Sequence, residues 1–509
     1  MLFFRKEFIF IFLYLIYHCY SYTVFPFKSY NKCDINKNAP LHNINNLSKL
    51  FIQNCLTNTI YSEVDFGEPK QTINIILSMK GSSFYLFEEF CPNDISTFYD
   101  SNKSTTFKNT SFCTNNFNNI NLICNIQEKI TFYNDINLQS NTSIKELNIA
   151  YGKGLPSYIR NTNSNNICGF LGFSLMNKDI SNLNDRFLLF LRFFKIINEY
   201  IWTFHFFDKN NKNDLLYKIN NKNNDNHEGL LIIGNLPHMY DNQNFNENNY
   251  KSVLCESRGY IYKWELKFFD IYFYDNNNNK IKINNYFQGE LDIETNYIIS
   301  TKEYFNLIKD NFFNDYLNKK ICINETVEIG KNLYNLNNDF YEIILCDIND
   351  FGENEMKKFP TLYFFHLKYN FTFSLNYKEL FLNIYNKQFF LITSSKNNEE
   401  FWTFGKLFMK KYQFIFNSEK KTINFYSAPK IYNNNSTKIS INSKTSKIKI
   451  IIFFLIAIIL SIIIGIYIGK KKYNKRKKIV SELKSDFIYN SIDNEIANKN
   501  IEMKIKLDI

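Results

Sequence analysis

Short runs of alternating apolar and polar residues, separated by polar turns, dominate the middle of this 509-residue chain. A period of two is typical of β-strands that bury one face. The runs include IKINNYFQGELDI, NFTFSLNYKELFL, QFFLITS and YQFIFNSEKKTINFYS. The last run predicts a hairpin with Glu419 and Lys420 at its turn, and the whole pattern predicts a mainly β fold.

Helical periodicity is confined to a few stretches. Residues 304–317 and 186–200 place apolar side chains on one face at a spacing of three to four, which predicts two amphipathic helices. The strands therefore outnumber the helices in this prediction.

Hydrophobic segments at both ends predict a membrane protein. Residues 1–21 combine basic Arg5 and Lys6 with an apolar stretch, the pattern of a secretory signal. Residues 450–469 carry no charge and are long enough, as a helix, to cross roughly 30 Å of hydrocarbon. The run KKKYNKRKK follows at 470–478 and favours the cytosolic side. We predict a single-pass type I membrane protein of the secretory and endomembrane system or cell surface.

These boundaries predict an ectodomain, a stalk, a transmembrane helix and a tail. The segments are a signal peptide at 1–21, an N-terminal extension at 22–54, two lobes at 55–215 and 216–430, a stalk at 431–449, the transmembrane helix at 450–469 and a cytosolic tail at 470–509. In the tail, Tyr489 and Ile492 fit a tyrosine-based sorting signal read by coat adaptors, although such short matches also arise by chance.

Composition and charge do not indicate that the chain binds nucleic acid, a metal ion or a cofactor. Hydrophobic residues make up 45% of the chain and aromatic residues 18%, which is ample for large cores. The net charge of +11 does not indicate nucleic-acid binding, because much of it lies in the block beside the predicted membrane helix. The six histidines form no cluster with cysteines, so we expect neither a metal site nor a cofactor.

One stretch carries the strongest family signal. Residues 61–87, YSEVDFGEPKQTINIILSMKGSSFYLF, contain a strand, a turn with Gly67, Pro69 and Gln71, a second apolar strand and a small-residue corner. The stretch resembles the N-terminal lobe of the pepsin-like aspartic peptidases, where the second strand ends in Asp-Thr-Gly-Ser. Here the first catalytic aspartate is replaced by Ser78 or Met79, depending on where one extra residue is placed.

Further elements of the same family follow in order. They are TFYDSNKSTTF at 97–107, CNIQEKITFYND at 124–135, CGFLGF at 168–173, GLLIIGN at 229–235 and FWTFGKLFMKKYQFIF at 401–416. The resemblance implies a bilobal pepsin-like fold. It also places Tyr133 at the flap tyrosine that closes over a substrate, although Tyr133 could equally be one more aromatic residue in an aromatic-rich chain.

The second catalytic position is better preserved than the first. In GELDIETNYI the resemblance aligns Asp292 with the second aspartate, while Glu294 replaces the glycine of the motif. The family mechanism needs two carboxylates that share a proton, and Ser78 or Met79 cannot supply one. Lys80 replaces another glycine and would pair with a lone Asp292. Glu63, Asp65 and Glu68 precede the turn, so we do not expect them to replace the missing acid.

The resemblance with these departures leads to a functional prediction. We expect an inactive pepsin-like protein whose inter-lobe groove binds an extended peptide or protein. The alternative is an active aspartic endopeptidase with a divergent site, which would need another acid near Asp292. A structural surface glycoprotein is a third interpretation, since Asn-x-Ser/Thr sequons occur at eight positions, among them Asn324 and Asn370.

The ten cysteines agree with an oxidising compartment. Cys19 leaves with the signal peptide, so one of the remaining nine is odd. The resemblance implies a disulfide between Cys322 and Cys346. One pair among Cys91, Cys113 and Cys124 is also expected, with its connectivity left open.

Overall fold

The computed structural model describes most of the predicted ectodomain. The described residues are 22–30, 59–79, 84–87, 99–114, 123–152, 167–175, 187–207, 227–242, 244–256, 263–275, 277–283, 286–329, 339–384, 386–395, 402–427, 465, 467–474, 477 and 481. The chain divides into two units, Met1–Tyr432 and Asn433–Ile509. All the strands described below belong to the first unit.

The first unit is mainly β. Its strands are β1 (Thr23–Tyr30), β2 (Thr59–Phe66), β3 (Gln71–Ser78), β4 (Phe84–Phe87), β5 (Lys108–Thr114), β6 (Ile123–Tyr133), β7 (Asn141–Gly152), β8 (Ile167–Gly172), β9 (Ile201–Phe206), β10 (Gly229–Ile233), β11 (Tyr250–Leu254), β12 (Glu265–Phe268), β13 (Asp270–Tyr274), β14 (Lys280–Ile283), β15 (Phe287–Leu291), β16 (Ile298–Ser300), β17 (Cys322–Ile329), β18 (Asp339–Asp347), β19 (Leu362–His366), β20 (Phe371–Leu375), β21 (Phe381–Ile384), β22 (Lys387–Phe390), β23 (Ile392–Ser395), β24 (Trp402–Phe404), β25 (Ile415–Asn417) and β26 (Thr422–Tyr426).

Short helices connect these strands. They are α1 (Phe187–Phe193), α2 (Pro237–Tyr240), α3 (Lys302–Ile308), α4 (Asn314–Asn318), α5 (Glu353–Met356), α6 (Tyr377–Leu380) and α7 (Lys406–Tyr412), and a π-helical turn at Lys309–Phe313 joins α3 to α4. The helix predicted at 304–317 is therefore confirmed as a continuous helical segment. The one predicted at 186–200 is shorter, because residues 194–200 form turns and bends after α1.

The strands described form three sheets. The largest runs in the order β11-β26-β25-β9-β10-β1-β2-β3-β8-β4-β7-β6-β5, a second runs β12-β15-β24-β16-β23-β18-β22-β21 with β17 paired to β18, and a third runs β14-β13-β19-β20. The predicted hairpin is confirmed, because β25 and β26 pair as antiparallel neighbours. The prediction of a mainly β fold is likewise confirmed.

Strand β1 lies inside the largest sheet. It pairs with β10 on one side, where Thr23 faces Ile233, and with β2 on the other, where Phe27 faces Ser62. Val24, Phe25 and Phe27 are buried. Part of the segment that we assign to an N-terminal extension thus contributes a central strand, since a strand with neighbours on both sides satisfies its backbone hydrogen bonds within the sheet.

The turn between β2 and β3 explains the glycine of the first motif. Gly67 has φ of +74°, which favours glycine, and a Cβ there would lie 2.6 Å from Ser104 Oγ. Next to it, the carboxylate of fully buried Glu128 accepts hydrogen bonds from Tyr99 and Thr106. The turn, the 97–107 element and β6 are therefore joined by one buried polar cluster.

The main hydrophobic core draws on both halves of the first unit. Trp202 of β9 stacks on Phe416 of β25 with ring centroids 4.2 Å apart, and Trp264 packs beside both rings. The Trp264 indole N–H donates to the carbonyl of Phe173 at 2.7 Å. This contact joins the segment after β8 to the segment before β12.

The second unit is described only in part. Residues 465, 467–474, 477 and 481 are helical and mostly exposed. Within the described residues, no helix is both long and apolar enough to cross a bilayer. Most of the predicted transmembrane segment at 450–469 lies outside the described residues, as do the signal peptide at 1–21, Tyr489 and Ile492.

Candidate functional site

Ser78 ends strand β3 in the interior of the largest sheet. The strand runs parallel to β8, with Ser78 opposite Gly172, and the Phe173 N–H donates to the Ser78 carbonyl at 2.8 Å. Ser78 is 0% exposed. The strand therefore ends in a fully buried serine, which is one of the two residues that the sequence resemblance places at the first aspartate position.

Asp292 directly follows strand β15 in the second sheet. This strand runs parallel to β24, with Leu291 opposite Phe404, and the Asp292 N–H donates to the Phe404 carbonyl at 3.0 Å. Asp292 is 2% exposed, and its Oδ1 accepts a hydrogen bond from the Glu294 N–H at 2.9 Å. The backbone of the loop that follows β15 thus donates a hydrogen bond to the Asp292 carboxylate at the start of that loop.

The two parallel strand pairs favour Ser78 over Met79 as the counterpart of Asp292. Asp292 follows Leu291, which faces Phe404, just as Ser78 follows Leu77, which faces Leu171. Ser78 is therefore the counterpart of Asp292, and Met79 is the counterpart of Ile293. Met79 and Ile293 are both buried in the main hydrophobic core. The extra residue of the first motif consequently falls after Ser78.

Gly405 allows the close approach of the second loop. A Cβ on Gly405 would lie 2.3 Å from the Tyr297 carbonyl oxygen and 2.5 Å from that of Thr295. The Lys406 N–H donates to the Thr295 carbonyl at 2.7 Å. The start of α7 thereby holds the loop that carries Asp292.

The two substituted positions of the site contact each other. The Ser78 hydroxyl donates a hydrogen bond to Glu294 Oε1, although the residues lie 216 positions apart in the chain. Ser78 is one of the two residues at the position where we expected an aspartate from the sequence resemblance, and Glu294 is at the position where we expected a glycine. The short side chain of Ser78 on β3 thus contacts the longer, acidic side chain of Glu294 in the loop after β15. Glu294 remains partly exposed.

This arrangement lacks the symmetry that an aspartate pair requires. A serine hydroxyl does not ionise in the physiological range, so it cannot share an acidic proton with Asp292. Within the described residues, no group of three or more histidine, cysteine, aspartate or glutamate side chains could hold a metal ion. Lys80, which we expected near Asp292, lies outside the described residues.

Tyr133 ends β6 and packs against the N-terminal strand. It pairs with Val24 of β1, and its carbonyl accepts a hydrogen bond from Thr23 Oγ1 at 3.1 Å. Its ring packs against a cluster formed by Tyr22, Val24, Ile136, Phe207, Leu230 and Ile232. Tyr133 therefore contacts β1 both through its carbonyl and through its ring.

A cavity of about 240 Å³ opens beside Tyr133, among residues of β1, β2 and β6. Residues 24–26, 63–65 and 131–133 line it, together with Thr72 and Asn141. Neither Ser78 nor Asp292 is among these lining residues.

The turn after Tyr133 is organised by Asp135. Although burial alone would raise the pKa of the Asp135 carboxyl, hydrogen bonds from Ser140, Gln139 and Asn137 hold it below its usual value. Asp135 Oδ2 accepts the Ser140 N–H at 2.6 Å. The turn that follows Tyr133 is therefore centred on the Asp135 carboxylate.

The acids before the Gly-Pro turn are paired with lysines. Glu63 lies 2.7 Å from Lys28 Nζ and Asp65 lies 3.0 Å from Lys70 Nζ. Asp65 faces Thr72 across the hairpin. Ser78 lies six residue steps beyond Thr72 on β3, or about 20 Å along the strand. This distance agrees with our expectation that these acids do not replace the missing aspartate.

The predicted disulfide between Cys322 and Cys346 is confirmed. The two residues face each other across β17 and β18. In the first half of the chain, Cys113 faces Cys124 across β5 and β6, and Cys168 is also disulfide-bonded. Cys91 lies outside the described residues.

No protein-family model matches the chain, and no curated protein matches it. The resemblance to pepsin-like peptidases therefore remains a prediction based on the sequence motifs.

Sequence reasoning recognised Glu294 as an altered position but not its role. A charged residue at an expected glycine was the available signal. The contact with Ser78 depends on two loops that only the folded chain brings together.

Proposed function

We propose that this chain is a membrane-anchored protein of bilobal pepsin-like fold whose inter-lobe groove binds an extended peptide or protein without hydrolysing it. The fold proposal is supported by two similar parallel strand pairs, β3 with β8 and β15 with β24, which end at Ser78 and Asp292. The order of the six family-like sequence elements supports it as well.

One observation supports the proposal that the chain does not hydrolyse the bound peptide. Ser78 occupies the register position equivalent to Asp292, and its hydroxyl is engaged by Glu294. General acid–base hydrolysis needs a base that can take a proton from water. A buried serine bound to a carboxylate cannot act as the second acid of the pair.

The alternative, an active aspartic endopeptidase, is favoured by one specific observation. Glu294 brings a second carboxyl into the loop of Asp292, and its backbone N–H already contacts that residue. In this alternative Glu294 would replace the carboxylate lost at position 78.

A single experiment separates the two functions. The full-length chain in detergent, with Asp292→Ala and Glu294→Gln variants, is incubated with a mixed peptide library from pH 3 to 7, and both cleavage and retention are measured by mass spectrometry. We expect retained peptides and no cleavage that depends on Asp292. Cleavage by the wild type that is lost in both variants would overturn the proposal and establish the endopeptidase.

A further inference from the structure

The third sheet buries one face and leaves the other partly open. The buried residues of β13 and β19 alternate along each strand and belong to the main hydrophobic core: Ile271, Phe273, Leu362 and Phe364. On the opposite face Tyr272 stacks on Tyr363, with ring centroids 5.0 Å apart. Tyr274 lies on the same face and is 43% exposed. The outer face of this sheet therefore carries a row of tyrosines.

Strand β14 adds two lysines to this tyrosine face. Lys282 faces Tyr272 and Lys280 faces Tyr274 across the β13–β14 pair, and both lysines are exposed. Lys280 Nζ lies 3.7 Å from the centroid of the Tyr272 ring. In the part of the chain that the structure describes, neither lysine forms an ion pair, although Asp270 also lies on this face. Their positive charge is therefore available to a partner.

The main chain of β14 offers hydrogen-bonding groups on the side away from β13. Of the described strands, only β13 pairs with β14. At the turn that joins them, the Asp275 N–H donates to the Asn279 carbonyl at 3.0 Å. Hydrogen-bonded and non-bonded pairs alternate along an antiparallel ladder, so Lys280 and Lys282 belong to non-bonded pairs. Their N–H and carbonyl groups consequently point away from β13, toward the position of an added strand.

The positive charge restricts which strand can pair at this edge. In a symmetric antiparallel pair, a second copy of β14 sets lysines against lysines, and like charges directly opposite each other destabilise a pair. An acidic strand instead places a carboxylate opposite each lysine. Because side chains alternate between the two faces of a strand, the two acids must be two residues apart.

The packing of Tyr272 argues against a nucleobase or a sugar as the ligand. Its ring has Tyr363 on the β19 side and Lys280 on the β14 side. The ring therefore has no free face on which a base or a sugar can stack, and the features left for recognition are the lysines and the main chain of β14.

We propose that β14 is a docking edge for an extended acidic peptide, which adds to the third sheet as a strand and places two Asp or Glu residues, two positions apart, opposite Lys280 and Lys282. Main-chain hydrogen bonds supply the affinity and the two charge pairs supply the specificity. Strands β3 and β15, which lead to Ser78 and Asp292, belong to other sheets. The inference is therefore independent of the groove proposed above.

The test measures the affinity of fluorescent eight-residue peptides for the full-length chain in detergent. The first peptide has two glutamates two residues apart in a background of threonine and serine. The second has the same composition with the two glutamates adjacent. The third is the first with the amide nitrogens of both glutamates methylated, so it keeps the charge and loses the two main-chain donors.

Two double variants separate the β14 edge from net charge. Lys280→Gln/Lys282→Gln removes both charges from β14 and keeps its main chain. Lys145→Gln/Lys251→Gln, the matched control, removes the same charge from exposed positions on β7 and β11 of the largest sheet. Circular dichroism and thermal melting of each variant establish that it is folded.

We expect the wild type to bind the first peptide about tenfold more tightly than the second, since two cross-strand charge pairs support a difference of that order. Lys280→Gln/Lys282→Gln should abolish this preference, whereas Lys145→Gln/Lys251→Gln should keep it. Methylation should weaken binding to the wild type by about tenfold, because the added strand loses main-chain hydrogen bonds.

Absence of binding, equal affinity for the first two peptides, equal effects of the two double variants, or unchanged binding after methylation would overturn the inference. So would a single-stranded oligonucleotide or a sulfated glycan that binds the same two lysines more tightly than the first peptide. None of these outcomes bears on the groove, which is tested with Asp292→Ala and Glu294→Gln.

Discussion

Ser78 and Asp292 each follow a leucine of a parallel strand pair, because Leu77 faces Leu171 and Leu291 faces Phe404. The equivalence is in the backbone, while the side chains differ in charge. Glu294 contacts both residues, through its carboxylate at Ser78 and its N–H at Asp292. The site therefore keeps the geometry of a two-loop centre with an altered distribution of acids.

Replacing Ser78 with aspartate should destabilise the protein at neutral pH. The new carboxylate would be buried against Glu294, and like charges at that distance oppose joint ionisation. We expect a loss of about 2 kcal/mol or more at pH 7, measured by chemical denaturation. Ser78→Asn, which is similar in size and uncharged, is the control. Equal losses for the two variants at pH 7, with no recovery of Ser78→Asp at pH 4, would contradict this prediction.

Gly405→Ala should be strongly destabilising. The added methyl would lie 2.3 Å from the Tyr297 carbonyl and 2.5 Å from the Thr295 carbonyl, so the backbone of the Asp292 loop must shift. We expect a cost of about 3 kcal/mol, measured as a lower denaturation midpoint. Gly352→Ala is the matched control, because its nearest neighbour would be the Ile348 carbonyl at 3.5 Å. Comparable effects at both glycines would show that the loop is not tightly held.

Glu128→Gln should destabilise the first half of the fold. The Glu128 carboxylate accepts hydrogen bonds from Tyr99, Thr106 and the Lys129 N–H. In the glutamine variant the amide NH₂ group cannot accept a hydrogen bond, so at least one of these three donors would lose its acceptor. We expect a loss of about 1–3 kcal/mol in the free energy of unfolding. Glu63→Gln breaks a partly exposed ion pair with Lys28 and should cost less than about 1 kcal/mol. A smaller loss for Glu128→Gln than for Glu63→Gln would refute the buried-cluster interpretation.

Glu228 and Lys406 should make stability depend on acidity. Burial alone would raise the pKa of the Glu228 carboxyl, but the Lys406 ammonium holds it below its usual value of 4.5. Their contribution is therefore present above about pH 4.5 and is lost as the pH falls through the lowered value. Lys406→Met leaves the largely buried Glu228 carboxylate without this cation. We expect the free energy of unfolding at pH 7, measured by urea denaturation, to fall by about 3 kcal/mol or more. The difference from the wild type should be smaller at pH 4.

The double variant Lys406→Met/Glu228→Gln is the control for this pair. It removes the stranded carboxylate, so we expect it to be more stable than Lys406→Met at pH 7. If the double variant recovers nothing, the ion pair does not determine the stability of this contact.

His366 should also lower stability in acid. Burial lowers the pKa of the His366 imidazole from 6.5 to about 4, and its Nδ1 accepts the Tyr369 N–H at 3.2 Å. The unfolded chain therefore binds a proton first, and stability falls as the pH drops from 6.5 toward 4. His366→Asn should remove up to about 3 kcal/mol of this pH dependence, measured by denaturation at pH 7 and pH 4. The partly exposed His238 is the control, and an equal change in His238→Asn would contradict the prediction.

The sequence predicted the parts of the fold that local periodicity specifies. Alternating residues around Glu419 and Lys420 indicated the β25–β26 hairpin, and the helical period at 304–317 indicated the segment from α3 to α4. It did not reveal β1, whose burial arises because distant β10 and β2 flank it. Helix α1 is shorter than the apolar periodicity suggested, since Lys195 adopts a positive φ of 57° that ends it.

At the candidate site the sequence established which residue types are present: an aspartate at 292, no aspartate at 78 or 79, and a glutamate where glycine was expected. The tertiary structure favours Ser78 over Met79 as the counterpart of Asp292, and it brings Glu294 into contact with Ser78. The physical reason is that side-chain chemistry is a local property of each residue, whereas strand register and loop contact depend on packing between distant segments, which for Ser78 and Glu294 lie 216 positions apart.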